Sequence, residues 1–192
     1  CNPSLLYHEG KLLMNLRHVE YTLFMCHKFQ SRYQGPLSYY HRDDDQTLRT
    51  NNYLCELDPD SLEILKYEKI DTAKLDVEPL WEFVGLEDGR LVHWDNTLYL
   101  CGVRRDTDTT GKGRMEFSEI VDGKEVSRRR IEPPKIDSYC EKNWMPVLDK
   151  PFHFVKWTNP VEVVKVDLDT LSSNMVCAHD YIPNITKYDM RG

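Results

Sequence analysis

Residues 85–106 read GLEDGRLVHWDNTLYLCGVRRD. Two adjacent carboxylates and an arginine, Glu87, Asp88 and Arg90, lead into a short strand pattern, Leu91-Val92-His93-Trp94. The polar pair Asp95-Asn96 then reverses the chain into a second strand over residues 97–103, the sequence signal for a hairpin. Arg104, Arg105 and Asp106 follow it. Charged groups therefore stand at both ends of one hairpin, and a right-handed fold would bring them to one rim. Paired carboxylates beside arginines form a candidate acid/base site.

The same shape recurs on either side. Residues 1–17 align with the central stretch when Leu12 is set on Leu98, and residues 141–157 align when Phe152 is set on Leu98. Two further strand patterns follow each copy: 52–57 and 62–69 around Asp58-Pro59-Asp60, 113–120 and 124–131 around Val121-Asp122-Gly123, and 161–168 and 174–179. Four-stranded antiparallel units recurring at about 50 residues predict an all-β fold and, within that class, a β-propeller. The blades are expected at about 1–70, carrying an insertion over 20–52, at about 85–132 and at about 140–180, with the entry to a fourth at 189–192. About four blades or more close a propeller, so the sequence reads as a three-blade fragment.

The chain has 192 residues and a formal net charge of -7, with acids and bases interspersed, which leaves no electrostatic footprint for nucleic acid. The one basic run, Arg128-Arg129-Arg130, falls on an alternating strand and is expected to be solvated. No run of about 18 apolar residues exists, so no membrane-spanning helix is expected. Six scattered cysteines, without CxxC or Cys/His spacing, predict buried thiols, no zinc, and a reducing, cytoplasmic setting. Asn184-Ile185-Thr186 is a formal glycosylation acceptor that has meaning only in a secreted protein.

Within 20–52, aromatic and polar residues alternate through Phe29, Tyr33, Tyr39 and Tyr40. They suit either a loop over a sugar face or a surface hairpin. Asp43-Asp44-Asp45 reads as an acidic turn. Residues 107–114, TDTTGKGR, lack the GxxxxGK[ST] spacing and join two strands, so they are a hairpin loop and no phosphate loop. His93 and His153 lie inside strand patterns as packing residues. Glu141-Lys142-Asn143-Trp144 puts a carboxylate, an ammonium, an amide and an aromatic at the place of Glu87-Asp88. In a propeller such positions converge on the axis, so Asn2, Asp88 and Lys142 would line one funnel. The plainer alternative is a structural corner with Trp144 in the packing.

Asn2-Pro3-Ser4, Gly85-Leu86-Glu87-Asp88-Gly89-Arg90 and Glu141-Lys142-Asn143-Trp144, in this order at blade starts, resemble glycoside hydrolase family 130. Those proteins are five-bladed propellers acting on β-mannosides, mostly as inverting phosphorylases and sometimes as hydrolases. The likeness spans about the first three of five blades, and Glu-Asp-x-Arg is its most specific part. It implies Asp88 as general acid, with Glu87 and Arg90 supporting it and Asn2 and Trp144 on the substrate. Gly89 stands where the family usually has proline. The resemblance also implies a phosphate site of basic and amide groups, matched by Arg17, Lys142 and Asn143; position alone adds Arg104 and Arg105. No cofactor is implied beyond inorganic phosphate as co-substrate.

An inverting glycosidase needs an acid for the leaving oxygen and a base for water. Phosphate is already an anionic nucleophile, so a cationic clamp can replace the base. Asp88 with Arg17 and Lys142 fits phosphorolysis of a mannoside, whereas hydrolysis would call on Glu141 as base. Two other classes stay open. One is a carbohydrate-binding propeller attached to a glycosyltransferase, and the other is a protein-interaction propeller.

Overall fold

The computed structural model describes residues 3–25, 37–41, 47–135, 138–158 and 160–179. Among them the regular structure is entirely β. The first sheet holds β1 (Ser4–His8), β2 (Lys11–Val19), β5 (Leu48–Leu57) and β6 (Ile64–Lys69) in antiparallel order β1-β2-β5-β6. A separate hairpin, β3 (Tyr21–Met25) with β4 (Leu37–His41), lies between β2 and β5 in sequence. After β7 (Phe83–Val84), which pairs in parallel with the start of β5, the second sheet runs β8 (Glu87–Trp94), β9 (Thr97–Arg104), β10 (Arg114–Val121) and β11 (Lys124–Arg130). The third holds β12 (Met145–Pro146), β13 (His153–Thr158), β14 (Val161–Val166) and β15 (Ser173–His179). Each holds four antiparallel strands; in the second and third sheets these are consecutive in the chain, and in the first the β3–β4 hairpin intervenes between the neighbours β2 and β5.

Local chemistry accounts for the reversals. Glu9 and Gly10 (φ 49° and 77°), Asp95 and Asn96 (47° and 61°), and Asp122 and Gly123 (48° and 73°) supply consecutive left-handed residues at two-residue turns. Such turns match the right-handed twist of the strands they join. The segment between β2, which ends at Val19, and β5 is shorter than the sequence suggests, because β5 starts at Leu48. Likewise Glu87 and Asp88 do not precede β8 but open it. A bulge between Glu87 and Arg90 absorbs the left-handed Asp88 (φ 51°) and keeps these polar residues in a ladder that apolar periodicity alone would not assign to them.

Burial follows the two-residue period of β9. Tyr99, Cys101 and Val103 face a core shared with the third sheet, alongside Trp94, Phe117, Trp144, Phe152, Phe154 and Val164. Leu98 and Leu100 face a core shared with the first sheet, alongside Leu13, Leu54, Ile70, Leu86 and Leu91. The second sheet is thus sandwiched, which is why β9 reads as almost continuously apolar. In the larger core Trp94 meets Phe154 edge-on with ring centroids 5.4 Å apart, an arrangement aromatic quadrupoles favour.

The sheets are joined by one repeated device. On leaving the first sheet, Ile70 N–H donates to Asn52 O (2.9 Å), Asp71 N–H to Gly123 O (2.9 Å), and Glu125 N–H returns to Asp71 O (2.9 Å). On leaving the second, Ile131 N–H donates to Met115 O (2.8 Å), Glu132 N–H to Leu171 O (2.9 Å), and Ser173 N–H returns to Glu132 O (2.9 Å). The exits of the first and second sheets therefore each hydrogen-bond their own third strand and then the turn before the fourth strand of the next sheet. The first strands of these two sheets also touch, since Leu91 N–H of β8 donates to Ser4 Oγ of β1 at 2.9 Å.

Arg128-Arg129-Arg130 departs from the solvated strand expected of it. Arg128 Nη1 donates to Leu75 O (3.0 Å), and its Nη2 reaches Asp76 Oδ1 (3.1 Å) and Glu125 Oε2 (2.5 Å). Arg130 donates to Thr107 Oγ1 (2.9 Å) and Lys112 O (2.8 Å). Two chain segments distant in sequence, around residues 75 and 107–112, cover that strand. Asn2, Asp43-Asp44-Asp45, Asn184-Ile185-Thr186, residues 189–192 and residues 26–36 of the aromatic insertion, with Phe29 and Tyr33, lie outside the described residues.

Candidate active site

Arg17, near the end of β2, spans to the bulge that opens β8. Its Nη1 donates to Asp88 Oδ1 (2.7 Å) and its Nη2 to Glu87 Oε2 (3.0 Å), with Tyr21 OH and Thr50 Oγ1 at 3.2 and 3.3 Å from the same nitrogen. The side chains of Arg17, Glu87 and Asp88 keep only 13, 16 and 20% of their surface exposed. These ion pairs are therefore well shielded, and each charge depends on the others. Burial pushes the Glu87 carboxyl above its ordinary range, although Arg17, Arg105 and Lys142 pull it the other way.

Gly89 makes the bulge possible. A Cβ there would lie 2.8 Å from Leu100 Cδ1 and 3.2 Å from Asn15 Nδ2, so the strand can settle onto its neighbours only without a side chain. Asn15, fully buried, donates through Nδ2 to Gly89 O (3.0 Å) and to Asn52 Oδ1 (3.0 Å), while Asn52 Nδ2 donates to Leu86 O (2.8 Å). A buried amide pair from β2 and β5 thus fixes the backbone on both sides of Glu87 and Asp88. Across the sheet, a Cβ on Gly102 would come within 2.5 Å of Glu87 O, so β9 too must leave room for the bulge.

Arg90 and Lys142 face a pocket of about 560 Å³, with Lys135, Asn143 and Lys156 on its walls. Arg90 Nε is buried without a hydrogen-bond partner. Neither Arg90 nor Lys142 forms an ion pair with a described residue. The field of Lys142 still reaches Glu87 and the thiol of Cys140, so the cationic pocket and the carboxylate pair are electrostatic neighbours. Arg105 stands beside them, its guanidinium 4.6 Å from the ring centroid of Phe83 and 5.6 Å from that of Tyr139. Lys156 is occupied instead, 3.5 Å from both Glu141 and Glu162.

Several residues occupy places other than those the sequence suggests. Arg17 holds the carboxylates and is no open phosphate ligand. Arg104 is 3% exposed and locked to Glu116 (2.8 Å) and Asp106 (3.3 Å) in a separate network, so it is not part of a phosphate clamp. Trp144 is buried in the larger core, donating Nε1 to Glu141 Oε2 (3.0 Å), and presents no face to a substrate. Glu141 is buried by the same contact. Asn2 lies outside the described residues. Sequence reasoning missed Asn15, Asn52, Thr50 and Tyr21. The signal for the asparagines was an amide at an inward position of an apolar strand, which a hydrogen-bonded partner must satisfy.

Among the described residues no cluster of three or more His, Cys, Asp or Glu side chains is arranged to hold a metal ion, and no helix is long and apolar enough to cross a membrane. Scans against protein-family models, curated proteins and solved structures find no match to the chain.

Proposed function

We propose that the three sheets are successive blades of a β-propeller of the family 130 type, and that its rim cleaves β-mannosides by inverting phosphorolysis. The repeated exit hydrogen bonds and the contact between β1 and β8 support successive blades around an axis. The observation that carries the reaction is the juxtaposition of Glu87 and Asp88, bridged by Arg17, with the cationic pocket of Arg90 and Lys142.

In this reading Asp88 gives a proton to the glycosidic oxygen as the bond from that oxygen to the anomeric carbon breaks. A phosphate oxygen forms the new bond from the opposite face, yielding mannose 1-phosphate and the released acceptor sugar. Arg17 positions the acid, and Arg90, Lys142 and Asn143 hold the nucleophile by charge-assisted hydrogen bonds. The raised pKa of Glu87 gives it a rival claim to the acid role, because a carboxyl pushed upward retains its proton closer to neutrality.

The protein, incubated with β-mannosyl disaccharides, should release mannose 1-phosphate only when phosphate is present. Asp88→Asn should lower turnover by about 10²-fold or more, a typical loss for a general acid. Turnover retained in that variant but lost in Glu87→Gln would move the acid to Glu87. Free mannose formed equally without phosphate would replace phosphorolysis by hydrolysis. Sugar binding without any product would make the propeller a recognition module.

A further inference from the structure

The pocket that holds Arg90 and Lys142 is larger and more varied than phosphate requires. Its volume of about 560 Å³ lies within the range of small-molecule sites, about 300–1,000 Å³, and an anion the size of phosphate leaves most of it empty. Besides cations its wall carries apolar surface from Met145, Val155 and Trp157, with Asn143 and Thr158 next to it. Trp157 is 58% exposed and Met145 48%, whereas Trp94 and Trp144 are buried in the larger core.

A bulge in β13 separates the two residues at its end. The pairing with β14 shifts between Val155 and Trp157 and leaves Lys156 out of register. Such a bulge re-aims the side chains on either side of it. Lys156 is thereby turned to Glu141 and Glu162, 3.5 Å from each, and Trp157 is left in the open. Among the described residues that line the pocket Glu141 is the one carboxylate, and it is engaged with Lys156 and with Trp144 Nε1. Arg90, Lys135 and Lys142 remain, and none of them forms an ion pair with a described residue. The wall thus pairs an excess of positive charge with an exposed indole.

We propose that Trp157 is the platform for a sugar ring, so that this pocket takes a hexose 1-phosphate as one ligand, with the ring on Trp157 and the phosphoryl group on Arg90 and Lys142. The apolar CH face of a pyranose can pack on the indole while Asn143 and Thr158 offer partners to its hydroxyls. The phosphoryl oxygens would accept charge-assisted hydrogen bonds from the cations. Inorganic phosphate would leave Trp157 and Met145 in water, and a neutral sugar would leave the cations without a counter-charge. Only the choice of mannose as the hexose rests on the phosphorolysis reading.

The test is binding without turnover. Calorimetry should show that mannose 1-phosphate binds at least tenfold more tightly than inorganic phosphate or mannose, and its addition should shift the tryptophan emission of the protein saturably. Trp157→Ala should weaken mannose 1-phosphate at least tenfold while leaving the affinity for inorganic phosphate unchanged. Trp157→Tyr, which restores an aromatic ring, should recover most of the loss. Trp157 is exposed, so these variants keep the fold. Wild-type affinity of Trp157→Ala for mannose 1-phosphate, absence of saturable binding, or equally tight binding of phenyl phosphate, whose flat ring has no hydroxyls, would overturn the proposal. Phosphorolysis fails separately: a β-mannosyl disaccharide that yields no product, with mannose 1-phosphate still bound through Trp157, upholds the platform and removes the reaction.

Discussion

Replacing Arg17 with methionine removes the cation shared by Glu87 and Asp88 while keeping much of its volume. The substitution breaks the 2.7 and 3.0 Å ion pairs and the hydrogen bonds to Tyr21 and Thr50. Stripping one partner from a fully buried pair costs about 3–5 kcal/mol, whereas exposed pairs contribute about 0–1 kcal/mol. With the three side chains 13–20% exposed, a loss of about 2–4 kcal/mol is expected near neutral pH. For a domain of this size that is a fall in midpoint of about 5–15 °C.

The sign of the pH dependence follows from Glu87, whose folded pKa lies above its ordinary value because of burial. A carboxyl raised in this way contributes stability that is present below its unfolded pKa and is lost as pH rises through the folded one. Without Arg17 the carboxyl rises further, and its repulsion from Asp88 goes uncompensated. The deficit of Arg17→Met should therefore be smallest near pH 4, where carboxyls take up protons, and grow toward pH 7. Urea unfolding of both proteins at several pH values measures it. Arg17→Lys, which keeps the charge but cannot fork between two carboxylates, should fall between them. A deficit that is flat between about pH 4 and 8 would show that Arg17 acts through packing and would refute this account of the triad.

Gly89→Ala should destabilise the protein by about 1–3 kcal/mol, the range for overpacking, since the added carbon meets the side chains of buried Leu100 and Asn15. A neutral result in denaturant titration would mean that the bulge can yield. Among the described cysteines, exposed Cys177 should be alkylated readily in the native protein. Cys101, buried and with its pKa pushed far up by desolvation, should react only in denaturant. Mass spectrometry of iodoacetamide-treated protein reads both sites, and equal labelling would contradict the burial of β9.

The sequence by itself determined the strands and their reversals. Asp95-Asn96 and Asp122-Gly123 carry the turn chemistry, and the alternation of Met115-Glu116-Phe117-Ser118 in β10 carries the pleat, because both depend on residues a few positions apart. The recurrence of the unit was legible for the same reason. So was the carboxylate pair at Glu87 and Asp88, since adjacency needs no fold to reveal it.

Tertiary structure alone decided which cations meet those carboxylates. Arg17 and Asp88 are 71 residues apart, and only the packing of the first sheet on the second joins them. Arg104 and Arg105 are neighbours in sequence but project from the chain in different directions, so one is locked in a buried network and the other stacks on Phe83 and Tyr139. Arg128 and Arg130 looked solvated because nothing near them in sequence covers them; the residues that do come from loops 18–53 positions away. Hydrogen-bonding and charge partners are set by distance in space, and strand periodicity carries no information about which sheet will lie opposite.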